Sequence, residues 1–276
     1  MDNCTGMYYS EGKLFKKTAS LPEEIWESGK CFYEVFRVIN RIPVFLDDHL
    51  ARLNESVRLS GYSIESGTNE IKAVIGELIR LNHLEVGNIR LVYRIREPDP
   101  PVLFSCCIPY SYPDTRQYRL GIPITIYRRV RHHPNIKQYD SLYHQQISEF
   151  MTRGNYFEVL LADLQDHITE GSKSNVFLIR HDRLYTAPGK DVLKGITREK
   201  VINLCNELNY SVIEKSISID SLSTMEAVFL TGTSPKILPV NRIDNRSFGV
   251  DHPMMRKLME AYDGLIRRDL EDYRTV

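Results

Sequence analysis

Neither sign of charge predominates in this 276-residue chain: 36 lysines and arginines stand against 36 aspartates and glutamates. The net field that usually draws a protein to nucleic acid or to an anionic membrane is therefore missing. Long apolar runs are missing too, and none approaches the roughly 18 residues of a membrane span. The opening MDNCTGMYYS has neither the basic start nor the apolar core of a secretory leader. Cysteine is scarce and unpatterned. The five (Cys4, Cys31, Cys106, Cys107, Cys205) contain no CxxC, and the adjacent pair suits neither a zinc knuckle nor a disulfide framework. Reduced thiols, no metal site and a cytoplasmic location are the expectations. Repeats, low-complexity tracts and large charge blocks are also lacking, and the length suffices for one large core or two moderate ones.

What is present is punctuated periodicity. Residues 32–39 are aromatic and β-branched, which predicts a strand, and Asn40-Arg41 turns it into IPVFL. Asp47 and Asp48 stand where they can cap a helix with Leu50, Leu53 and Val57 on one face, and Gly61 where it can end that helix. IKAVIGELIRL (71–81) predicts a second helix, and 88–95 and 102–108 predict strands. Pro109, Pro113 and the tyrosines between them mark a linker over 109–116. Beyond it, YRLGIPITIYR, EVLLAD, SNVFLIR and RLYTAP read as strands, and GITREKVINLCNELNY as a helix. EAVFLTGTS is a strand running into a turn, and HPMMRKLMEAYDGLIRRDLEDY a long amphipathic helix. The expected architecture is mixed α/β in two lobes, residues 1–113 and 114–276.

Five short pieces can carry chemistry, and each also has an ordinary reading. Lys137, in HHPNIKQYDSLYHQQ, is either a solvated amine or a nucleophile that needs burial. Glu170, in TEGSKSNVF, reads as a carboxylate in a polar turn between strands. Gly195-Ile196-Thr197 opens a helix whose free N–H groups and positive dipole end suit a phosphate, or Thr197 only caps it. Thr233 and Ser234, after Gly232, form an anion-binding nest or a plain turn. Arg52 lies beside Leu53 in its helix and can either face water or reach inward. Together these are the parts that pyridoxal phosphate requires: a phosphate cradle, a partner for the pyridine nitrogen and a lysine. The basic run over 116–137 has no glycine/aromatic RNA-binding signature and reads as a solvated strand end.

In chain order the pieces resemble the class IV aminotransferases of fold type IV, which include branched-chain and D-amino acid aminotransferases and aminodeoxychorismate lyase. The likeness runs from about Phe32 to Val240. YEVFRVINRIPVFLDDHLARLNES is similar to the family's strand–turn–helix with its His-x-x-Arg pair, here His49 and Arg52. NIKQYDSL is similar to its lysine segment, and ITEGSKSNVFLI, LKGITREKVI and VFLTGTSPKILPV to three downstream motifs.

The resemblance implies a small N-terminal α/β lobe and a larger barrel-like C-terminal lobe carrying the cofactor-bound lysine. It implies pyridoxal 5'-phosphate as cofactor, an amino acid and a 2-oxo acid as substrates, and a homodimer with each site near the subunit interface. By position, Lys137 matches the lysine that holds the cofactor and shuttles the proton. An ordinary lysine amine, with a pKa near ~10.4, is protonated and a poor nucleophile at neutral pH, so burial beside a cationic ring is needed to free it. Glu170 matches the carboxylate facing the pyridine nitrogen. Arg52, Ile196, Thr197, Thr233 and Ser234 match the phosphate cradle, and Tyr33 a tyrosine near cofactor and substrate. NIRLVY is similar to the branched-chain YIRPL, which makes Arg90 either the grip on the substrate carboxylate or a strand arginine facing water. Three departures stand out. Asp140 replaces the Asn of the family's K-x-x-N-x-L, the Arg-x-His carboxylate trap of D-amino acid enzymes has no counterpart, and Glu34-Val35 stands where the lyases have Thr-Thr. An aminotransferase is the leading expectation, of branched-chain type if Arg90 grips the substrate carboxylate. A carbon–carbon lyase and a silent cofactor-binding protein are the alternatives.

Overall fold

Alternation along residues 30–39 builds a strand with two unlike faces. Phe32, Glu34, Phe36 and Val38 are buried, whereas Tyr33, Val35, Arg37 and Ile39 are half-buried. Successive side chains of a strand point to opposite faces, so one side of the sheet is a core surface. The structure, a computed structural model, describes residues 4–16 and 29–275. In chain order its first elements are β1 (Thr5–Ser10), β2 (Lys13–Lys16), β3 (Lys30–Ile39), β4 (Ile42–Pro43), α1 (Leu46–Leu59), α2 (Thr68–Leu81), β5 (Val86–Ile95) and β6 (Val102–Ile108). The strands form one sheet in the order β2-β1-β6-β5-β3-β4. Leu50, Leu53 and Val57 of α1 and Ile71, Ile75 and Ile79 of α2 pack on Phe32, Phe36, Val38, Ile89 and Leu91 to make its core.

Three sequence expectations for this region need correction. Asp47 and Asp48 do not cap α1; the N-cap is Phe45, which is left-handed (φ 52°) and makes no side-chain cap bond. Its amide instead donates to Asp269 Oδ2 at 2.8 Å, and the two aspartates sit within the first turn, facing the positive end of the helix dipole. The β1–β2 hairpin was not expected, because its exposed, weakly alternating residues carry little periodic signal. Nor are all thiols free. Cys4 and Cys106 form a disulfide, since β1 pairs antiparallel with β6 and brings residues 102 apart in sequence together. Cys31, Cys107 and Cys205 are free and buried.

The later elements are α3 (Thr115–Leu120), β7 (Ile122–Arg128), α4 (Ser141–Gly154), β8 (Val159–Ala162), β9 (His167–Gly171), β10 (Asn175–Arg180), β11 (Arg183–Thr186) and α5 (Ile196–Glu207). After them come β12 (Ser211–Glu214), β13 (Ile217–Ser218), a 3-10 turn (Ile219–Thr224), β14 (Ala227–Gly232), β15 (Lys236–Ile243), β16 (Arg246–Ser247) and α6 (Pro253–Thr275). Nine of these strands lie in the order β12-β11-β10-β14-β15-β7-β8-β9-β13, with β16 on β15. Ile122, Ile124, Leu160, Val176, Leu178, Val228, Leu230 and Leu238 fill the core of this sheet. Residues 118–120, expected as the start of a strand, are helical. Asp114 and Gln117 form a reciprocal capping box that starts α3, and Gly121, at φ 69°, ends it. Glu170 lies in β9 rather than in a turn, and the turn comes after it, at 172–174.

The chain separates into two compact units. Met1–Ser111, Ile136–Ser141 and Arg268–Val276 form the first; Tyr112–Asn135 and Leu142–Arg267 form the second. The lysine segment thus belongs to the first unit rather than to the residues that flank it in sequence. Among the described residues no helix is long and apolar enough to cross a membrane.

Candidate active site

In the first unit, Glu34 occupies an inward position of β3 that alternation reserves for an apolar side chain. Its carboxylate is fully buried and accepts from Arg52 Nε at 2.7 Å, Arg52 Nη2 at 2.6 Å and His49 Nδ1 at 2.8 Å. His49 and Arg52 are one turn apart on α1, so both reach the same carboxylate. Burial alone would raise the carboxyl pKa; the charge of Arg52 and the hydrogen bonds from Arg52 and His49 outweigh it and bring it down to about 2. Burial lowers the pKa of His49, partly countered by Glu34 and reinforced by the charges of Arg52 and Lys137. A neutral His49 next to an ionised Glu34 must carry its proton on Nδ1.

Lys137 sits on the edge of β3 that the two-residue β4 leaves open. Tyr33 N–H donates to Lys137 O at 3.1 Å, Tyr139 N–H donates to Cys31 O at 2.8 Å, and Phe32 pairs with Gln138 as an isolated antiparallel bridge. Lys137 N–H in turn donates to Ser56 Oγ of α1 at 3.1 Å, so the lysine backbone is fixed from the strand and from the helix. Its Nζ lies 4.7 Å from the centre of the Tyr33 ring, and Tyr33 meets Tyr139 edge-on. Arg90 stands opposite Val35 in the β3–β5 register and shares the Tyr33 face of the sheet, half-buried. Asp140 is exposed.

In the second unit, Glu170 is buried at the end of β9. Its Oε2 accepts from Leu193 N–H at 3.1 Å and faces Asn175 Nδ2 at 3.4 Å, while Oε1 faces Arg131 Nη1 at 3.4 Å. Asn175 also donates to Leu193 O at 2.8 Å, and a Cβ on Gly195 would overlap its Oδ1. The start of α5 and the Glu170 carboxylate are thus held by one amide. The turn after β9 is fastened by Glu158, which accepts from the amides of Ser172 and Lys173 and the hydroxyls of Ser172 and Ser174. Ile196 and Thr197 form the buried first turn of α5; its N-cap is Gly195, which has no side chain to take up the free amides there. Thr197 does not cap the helix. Its hydroxyl pairs with Tyr262 Oη of α6 at 3.1 Å. Thr233 and Ser234 are half-buried in the turn between β14 and β15. Nearby on β14, opposite Asn175, the buried Thr231 hydroxyl has no partner among the described residues.

Sequence reasoning missed Ser56, Asn175 and Tyr262, read Arg131 as part of a solvated strand end, and left Glu34 without a partner; Arg131 instead faces Glu170. For Glu34 a signal existed: an acidic residue in phase with Phe32, Phe36 and Val38 must either break the strand or meet buried cations. Ser56, Arg131 and Tyr262 are brought in by long-range packing that leaves no local mark, and Asn175 by the turn that folds it back towards Glu170.

A family match to amino-transferase class IV covers residues 31–243. The chain belongs to the class IV aminotransferases. It is an enzyme of that family, and Lys137, Glu170, Thr197 and Thr233 all lie within the matched span. The D-alanine aminotransferase of Bacillus licheniformis is 29% identical over 88% of this chain and 90% of its own length. Among solved structures, the branched-chain aminotransferase of the thermophilic archaeon Thermoproteus uzoniensis with norvaline has the same fold, with a TM-score of 0.83, 24% identity and coverage of 98% and 97% of the two chains. A 4-amino-4-deoxychorismate lyase structure from Legionella pneumophila, described as putative, superposes with a TM-score of 0.79 at 25% identity, over 91% and 97%.

Proposed function

We propose that this class IV aminotransferase uses pyridoxal 5'-phosphate to move an amino group between an amino acid and a 2-oxo acid. The observation that carries the reading is Lys137, whose backbone is tied to both Tyr33 and Ser56 while its amine lies over the Tyr33 ring. A surface lysine has no need of such tethering. Within each unit, the residues present also suit parts of the cofactor. The uncapped first turn of α5 at Ile196 and Thr197, the Thr233-Ser234 turn and the Arg52 guanidinium suit a phosphate. Glu170, buried and fixed through Leu193 and Asn175, suits a protonated ring nitrogen.

When bound, pyridoxal phosphate supplies a carbonyl for the amino group and an electron sink for the α-carbon. The chain's own residues do the rest. Lys137 Nζ, once relieved of its proton, removes the α-proton of the amino acid and carries it onward. Glu170 holds a proton between its carboxylate and the ring nitrogen. Arg52 is kept in place by Glu34, which stops the guanidinium from swinging away from the phosphate it would bind. Arg90 takes the substrate carboxylate, and Tyr33 forms one wall beside the amine. The reading includes a homodimer, as the family resemblance implies, and a cytoplasmic location; a monomeric mass in light scattering with full activity on dilution would refute the dimer.

Borohydride reduction of the cofactor-loaded protein, followed by peptide mapping, tests the assignment. The expected outcome is a single modified lysine, Lys137; attachment elsewhere sinks it. The second reading, a carbon–carbon lyase on the same cofactor, is favoured by the likeness to the Legionella structure. It predicts turnover of aminodeoxychorismate without an amino acceptor.

A further inference from the structure

The family match ends at Ile243, yet α6, beyond it, delivers one polar group to the first turn of α5. Along this helix Met255, Leu258, Tyr262 and Ile266 are buried at intervals of three and four, an apolar stripe in which Tyr262 is the polar member. A buried phenol normally has to find a hydrogen-bond partner. Tyr262 Oη lies 3.1 Å from Thr197 Oγ1, and both residues are almost wholly buried. Thr197 is the second residue of α5. A threonine further along a helix commonly bonds back to the carbonyl four residues earlier, but here that carbonyl, on Leu193, precedes the helix and accepts from Asn175.

We infer that Tyr262 is a positioning residue for phosphate, acting through the Thr197 hydroxyl; the inference rests on the proposed reading of the α5 turn. A threonine hydroxyl has one proton and two acceptor sites. If Tyr262 donates to Thr197 Oγ1, the threonine proton is directed away from the phenol and is available to an anion at the helix start. The anion selects that direction in turn, because a phosphate oxygen accepts and does not donate. The chain Tyr262 to Thr197 to phosphate runs one way, and each bond polarises the next.

The test compares binding of pyridoxal phosphate with binding of pyridoxal, which lacks the phosphate, by absorbance titration of the cofactor-free protein. Tyr262→Phe keeps the ring and removes only the hydroxyl. The expected result is a 5- to 10-fold loss of pyridoxal phosphate affinity, roughly the worth of one hydrogen bond between neutral groups, with pyridoxal affinity unchanged. On a Thr197→Val background the same change should have no further effect. Equal losses for both ligands, no loss, or a loss that persists with Thr197→Val would each overturn the inference. The melting temperature of the cofactor-free variant shows whether it folds. A Tyr262→Phe protein that melts early is replaced by the comparison of Thr197→Val with Thr197→Ser, where Ser should keep 5- to 10-fold more of the preference for the phosphorylated ligand than Val. Wild-type protein that binds both ligands equally, with inorganic phosphate failing to compete, would refute the phosphate reading of α5 itself. A wild-type preference for the phosphate that Tyr262→Phe leaves intact refutes only the role of Tyr262.

Discussion

Glu34 grips Arg52 with both oxygens, at 2.7 and 2.6 Å, inside the core of the first unit. A carboxylate on the apolar face of a strand is tolerated only because the guanidinium and His49 supply three donors to it. The pair therefore fixes α1 to β3, and it also sets the orientation of the arginine proposed to bind phosphate.

Glu34→Gln should destabilise the protein by about 3 kcal/mol, since removing one partner leaves the other charge buried without compensation. Urea denaturation of the two proteins measures this. A variant as stable as the wild type would mean that Arg52 finds water or another acceptor.

Acid should weaken the fold in two stages. A histidine with a lowered folded pKa gives full stability above its ordinary value near 6.5 and loses it as the pH falls below that value. Glu34, lowered to about 2, contributes stability that is present above about 4.5 and disappears as the pH falls towards 2. Thermal melts from pH 8 downward should decline first below about 6.5. In His49→Gln, which does not titrate, this first decline should shrink while the second, below about 4.5, remains.

Glu170→Gln should still bind pyridoxal phosphate but turn over at least ~100-fold more slowly, or about 2.7 kcal/mol in the barrier. The amide preserves the shape and removes the charge that keeps the ring nitrogen protonated. Normal turnover with bound cofactor would return Glu170 to a structural role, held by Leu193 and Asn175.

Gly195→Ala tests whether Asn175 couples the α5 turn to Glu170. A methyl there collides with Asn175 Oδ1, so the amide has to shift and release Glu170 Oε2. We expect turnover to fall by about 10-fold, on the scale by which small displacements at a site slow reactions. An unchanged rate would uncouple the two.

Thiol titration should separate two classes of cysteine. Burial raises the pKa of Cys31 and Cys107 to about 11 and that of Cys205 to about 12. These three should be unreactive in the native protein and react fully in denaturant, while Cys4 and Cys106 respond only after reduction. Five reactive thiols in unreduced, denatured protein would show that Cys4 and Cys106 are not bonded in solution.

The sequence by itself determined a good deal of this protein. The aromatic and β-branched run over 32–39, helical stripes in α1 and α2 and turn residues such as Gly61 are local signals, and the order of motifs around Lys137, Glu170 and Gly232 carried the family. Local signals failed where a stronger local motif or a distant contact competed with them. The Asp114–Gln117 capping box turned the expected strand start at 118–120 into helix. A long-range bond to Asp269 helped make Phe45, not an aspartate, the start of α1. Only the tertiary structure decided what each site residue touches. Glu34 lies 18 residues from Arg52, Ser56 lies 81 from Lys137, and Tyr262 lies 65 from Thr197. Hydrogen bonds over such separations exist because sheet register and helix packing bring the groups together, and neither leaves a pattern that neighbouring residues can reveal.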